Sequence, residues 1–144
     1  MKYVKDGVNF LISMEKGDDV VKSILSVVVQ EEIDSAALSG IGAVTDVTLG
    51  FYNLRYKEYQ KKIFPGYYEL VSCLGNISEK DGKPFVHAHV SMSGPNYKTI
   101  SGHLFSAKIA VVGEFVLQPF ETKIVRKMND DIGLAKWDFP ESNV

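Results

Sequence analysis

The chain has one cysteine, two arginines and one tryptophan among 144 residues. Cys73 stands alone, so no disulfide can form within the chain. Its place in the apolar run Leu70–Leu74 marks it as a buried, reduced core thiol. Arg55 and Arg126 are the only arginines, so the side chain best suited to forked contacts with guanine or phosphate is scarce. The net charge of −2 has the wrong sign for a large footprint on nucleic acid. No apolar run approaches the ~20 residues of a membrane span. Met1-Lys2-Tyr3 opens no signal peptide, so a cytoplasmic chain without membrane association is expected. There is no internal repeat, low-complexity tract or linker. With 45% hydrophobic and 24% charged residues, the expectation is one folded domain over 1–144 with a proper core.

The pattern that is present reads mostly as strands. Val8–Met14 is a first strand, and Glu15-Lys16-Gly17-Asp18 is a turn. Val20, Val21, Ile24, Val27 and Val28 follow helical spacing, which predicts an amphipathic helix over 18–32 capped by Asp18 or Asp19. Ser35–Ile41 reads as a short strand. Gly40-Ile41-Gly42-Ala43 breaks it and lacks the third glycine and the lysine of a phosphate loop. Ala43–Asn53 and Gly66–Ile77 read as strands, with the lysine-rich Leu54–Phe64 as a solvent-facing hairpin arm. Phe105–Lys108 reads as a short connector, Ile109–Pro119 as a central strand with Glu114 its one charge, and Leu134–Phe139 as a last strand before a polar tail, Pro140–Val144. The sum is an α+β fold, a mostly antiparallel sheet with one main helix.

All three histidines fall within Pro84–Leu104. His87 and His89 are two apart, so in a strand they project from one face. Ser93–Tyr97 is a turn signal, and Lys98–Leu104 reads as the returning strand. Counting about the turn sets His103 opposite Ala88 or His89, and Gly102 could mark a bulge that re-aims it. Three imidazoles converging on one face form a candidate metal site with a position left for water or a ligand. Zinc is the first expectation; nickel, iron and manganese stay open on ligand type. Protonated imidazole does not ligate, so metal should loosen below about pH 6.5.

Four segments together resemble the plants-and-prokaryotes-conserved domain family, abbreviated PPC or PCC. They are Gly17-Asp18-Asp19-Val20, Gly40-Ile41-Gly42-Ala43-Val44, Gly66-Tyr67-Tyr68-Glu69-Leu70-Val71-Ser72, and His87-x-His89 with Gly102-His103-Leu104. Ser101 departs from the pattern, where members often carry a second glycine. The resemblance covers nearly the whole chain. It implies an antiparallel sheet flanked by one main helix and short helical segments, related to the acetolactate decarboxylase fold. It also implies a homotrimer and a metal, usually zinc, on His87, His89 and His103. Family labels imply nucleic-acid binding, but plant members bind DNA through Arg-Gly-Arg-Pro hooks outside this domain, and this chain has no Arg-Gly pair.

Three functions compete on these grounds. The first is a trimeric metal-binding module for association or for a small-molecule ligand. The second is a zinc-dependent lyase or hydrolase, with Glu69 as acid–base group and Arg55 holding an anionic substrate. Glu69 is chosen as the lone charge in an apolar strand; Glu114 reads equally as a subunit-interface carboxylate. The third is a DNA-binding regulator using Lys57, Lys61 and Lys62.

Overall fold

A computed structural model describes residues 1–139; the polar tail read at 140–144 lies outside the described residues. The chain opens with a hairpin of β1 (Lys2–Asp6) and β2 (Asn9–Glu15), then enters helix α1 (Val20–Gln30). Asp19 caps the helix, its side chain accepting from the Lys22 N–H. The stripe Val20, Ile24, Val27 and Val28 is buried, as its spacing predicts. Backbone hydrogen bonds from Gly17 N–H to Ile109 O and from Ile109 N–H to Asp18 O fasten the helix entrance to the sheet.

Strands follow for the rest of the described chain: β3 (Ala36–Asn53), β4 (Glu58–Phe64), β5 (Tyr68–Lys80), β6 (Lys83–Ser93), β7 (Thr99–Pro119), β8 (Val125–Asn129) and β9 (Leu134–Trp137). All belong to one sheet. Every pairing is antiparallel except that of β5 with β8. β3 pairs with β5, β5 with β6, β6 with β7 and β7 with β3, so four strands close a circuit. Their inward side chains, among them Leu38, Cys73, Ile77, Val90, Met92, Phe115 and Leu117, are buried in the same core as the helix stripe. The α+β reading therefore holds, with α1 the one helix among the described residues.

Two expectations about continuity change. The glycine break at Gly40–Gly42 does not end a strand; it is a register shift within the 18-residue β3. Phe105–Lys108 is no connector but the middle of the 21-residue β7, whose pairing with β3 shifts near Thr45 and Thr48. A bulge inserts an unpaired residue and interrupts the period-two pattern without ending the strand. The edge strand β1 carries too little apolar alternation to announce itself.

Candidate metal centre

His87 and His89 project from one face of β6, and His103 on β7 is the direct cross-strand partner of His89. That pairing fixes the register that counting about the turn leaves open. The ring centroids of His87–His89, His87–His103 and His89–His103 lie 5.3, 5.2 and 5.4 Å apart. One nitrogen from each ring lies within 4.8 Å of those from the other two. His103 is buried, His87 half-buried and His89 exposed.

The neighbours of His103 explain its burial. Tyr59 of β4 stacks on it at 4.7 Å, and Phe105 meets it edge-on at 4.9 Å. Opposite His103 on β3 is Gly50. A Cβ there would lie 2.5 Å from the Phe105 ring and 2.8 Å from Tyr59, so glycine is what admits both rings. Burial also pushes the Tyr59 hydroxyl pKa upward. His103 Nδ1 is buried with no hydrogen-bond partner among the described residues. An unsatisfied buried nitrogen is costly unless something binds it.

Arg126 comes from β8 and is buried against the same cluster. Its Nη2 lies 3.1 Å from His87 Nδ1. A guanidinium is a fixed positive charge, so its approach disfavours a second proton on the His87 ring. Burial first, then the Arg126 charge and His89, bring the His87 pKa down to about 4. Burial chiefly, then His87, brings His103 to about 4 as well. The unprotonated rings, the gathered nitrogens and the unsatisfied Nδ1 fit a transition-metal cation.

These shifts carry a stability prediction for the metal-free chain. An unfolded histidine titrates near 6.5, so between about pH 6.5 and 4 the unfolded chain binds more protons than the folded one. The folded state keeps its full advantage above pH 6.5 and loses it as pH falls toward 4. The melting temperature should drop by about 5 °C or more from pH 6.5 to 4.5, and less in a His87→Gln variant. A flat profile over that window would contradict neutral buried imidazoles. The pH 6.5 threshold expected for metal release likewise moves down for two of the three rings.

The structure does not bring Glu69 or Arg55 to the imidazoles within one chain. Glu69 is exposed on β5 opposite Ser93, four residues along β6 from His89, or roughly 13 Å at the strand rise. Arg55 is exposed in the β3–β4 connection, its guanidinium over Tyr56. Among the described residues, the cavity beside His87 and His103 has no carboxylate in its wall, and its cations are Lys80 and Arg126. Arg126 thus stands where an arginine was sought, and sequence reasoning missed it together with Tyr59. The lysines proposed for DNA are engaged locally: Lys57 Nζ donates to Asp130 O, Lys61 sits 4.0 Å over Phe105 and Lys62 lies 5.2 Å from the Phe64 ring centre. No helix among the described residues is long and apolar enough to cross a membrane.

Comparison with known proteins follows the same lines. The family model of the Plants and Prokaryotes Conserved (PCC) domain matches residues 1–121. A provisionally named DNA-binding protein from Bacteroides thetaiotaomicron superposes with a TM-score of 0.92 at 33% identity, covering 96% of each chain. A plant- and prokaryote-conserved protein from Pyrococcus horikoshii gives 0.85 at 32%, covering 98% of this chain and 96% of that one. A metal-containing protein from Archaeoglobus fulgidus gives 0.85 at 35%, covering 94% and 96%. No protein with a curated description matches the sequence.

Proposed function

Because the chain belongs to the Plants and Prokaryotes Conserved domain family, we propose that it is a homotrimeric zinc-binding module that holds a small-molecule ligand at the metal. The carrying observation is the convergence of His87, His89 and His103, with one nitrogen from each lying within 4.8 Å of the others. The metal-containing relative from Archaeoglobus fulgidus supports the reading. Three imidazole ligands leave zinc a position for a ligand's donor atom. The Arg126 charge beside His87 disfavours its protonation, while Tyr59 and Phe105 shield His103 from water. Metal analysis of protein purified without added chelator tests this: about one zinc per chain is expected, and none would refute it.

The sheet itself supports assembly. One row of cross-strand neighbours runs Val4, Leu11, Val116, Ser39, Leu74, His89 and His103. Leu74 in that row is 62% exposed and nearby Ile41 53%. This apolar face runs directly into His89, so copies packed on it would cover the open side of the imidazoles. Such exposed apolar area marks an interaction surface. Leu74→Glu should convert the trimer to monomer in sedimentation without unfolding it. An unchanged mass would count against this face. Nucleic acid has no part in the reading, given the net charge of −2 and the lysines already engaged over aromatic rings.

A further inference from the structure

We infer that the cavity beside the imidazoles binds a small organic anion, a carboxylate on an apolar body. The inference deepens the ligand-binding role proposed above and rests on it, but its evidence centres on Arg126 and Lys80 rather than on the metal-ligating nitrogens. Arg126 is only 9% exposed, and its partners among the described residues are all neutral: Ser78 Oγ at 2.8 Å, Asn76 Oδ1 at 2.9 Å, Ala135 O at 3.1 Å and His87 Nδ1 at 3.1 Å. None of the ion pairs among the described residues involves it. A buried guanidinium without a counter-charge is costly. Its five N–H groups meet four acceptors among the described residues, which leaves a donor for a fifth.

A second cation is placed beside it. Lys80 is the cross-strand partner of Arg126 in the one parallel pairing of the sheet. Both lie over the same ring, Lys80 Nζ at 5.4 Å and Arg126 Cζ at 5.3 Å from the Phe85 centroid. Like charges directly opposed across strands repel; an anion between them removes that cost. The cavity holds about 430 Å³ and both cations line it. Its remaining wall includes Val21, Leu25, Phe105 and Leu134. That lining fits the mostly apolar pocket with a few convergent polar groups that takes small molecules. Positive charge at one point and aromatic walls elsewhere select an organic carboxylate over inorganic phosphate.

The test is calorimetric titration of the full chain with sodium benzoate, benzamide and inorganic phosphate, in chelator-treated and zinc-loaded samples whose metal content is measured. Benzoate should bind at least about tenfold more tightly than its neutral amide in both samples. Lys80→Gln should weaken benzoate about three- to tenfold and leave benzamide unchanged, and Arg126→Lys, which keeps charge but loses the fork, should weaken it further. If Arg126→Lys fails to fold, Lys80→Gln on the cavity wall decides alone. Equal binding of benzoate and benzamide, an unaltered Lys80→Gln, or phosphate binding as tightly as benzoate would each overturn the inference. Zinc uptake without benzoate preference removes this inference and spares the metal centre; benzoate preference without zinc uptake does the reverse.

Discussion

His89→Ala should strip the chain of metal while leaving it folded. His89 is the exposed member of the three imidazoles, and its alternate neighbours along β6, Ala88 and Val90, carry the buried packing instead. Removing its ring therefore creates no core cavity, and the melting temperature of metal-free protein should move by only about 2 °C or less. The metal should respond very differently. With two ligands left in place of three, affinity should fall by two orders of magnitude or more, since even outer-shell partners are worth about 10–100-fold. Metal per chain after dialysis should go from about one to below about 0.1. His103→Ala should lose metal too, but with a fall in stability, because Tyr59 and Phe105 pack on that ring. Unchanged stoichiometry in His89→Ala would end the three-histidine assignment.

The difference between those two histidines was not legible in the sequence. His87-x-His89 and a single further histidine across a turn were enough to name the ligands. They could not say which ring is buried, because burial comes from Tyr59 and Gly50 on strands paired with β7 and β3 from elsewhere in the chain. Tyr59 sat in a lysine-rich stretch that read as solvent-facing. Lys61 belongs to that stretch and is indeed exposed, yet its ammonium lies on Phe105 beside the site. Arg126 was further out of reach. It arrives 39 residues after His87, on a strand that joins β5 through a two-residue parallel contact. No local periodicity encodes such a meeting. The helix was legible because both its stripe and its cap are local: Asp19 binds an N–H three residues ahead. Glu69 lies apart from the imidazoles within one chain. A lone charge in an apolar strand suggested chemistry, but the residue is exposed on a sheet face about 13 Å along from the imidazoles.

Gly75→Ala should be among the most damaging single methyl groups that can be added to this chain. Gly75 falls inside the strand read at Gly66–Ile77 and lies well inside β5, opposite Ala88. A Cβ there would stand 2.2 Å from the carbonyl oxygen of His87 and 2.8 Å from Ala88 Cα. Both obstacles are backbone, so no side-chain rotation relieves them; β5 and β6 must move apart. The gap would open at the residue that carries His87 and beside Asn76, whose Oδ1 accepts from Arg126. Overpacking of this kind costs about 3 kcal/mol or more, or about 6–12 °C in melting temperature for a domain of this size. Zinc affinity should fall with it, because β6 displaced from β5 no longer sets His87 against His103. Gly94→Ala is the control: its nearest new contact is Tyr68 Cε1 at 3.6 Å, an ordinary separation, and its stability should change by less than about 1 kcal/mol. If Gly75→Ala melts with the native protein and holds metal equally well, the close approach of β5 to β6 does not set the imidazoles. Their geometry would then have to come from β7 and the rings packed on His103.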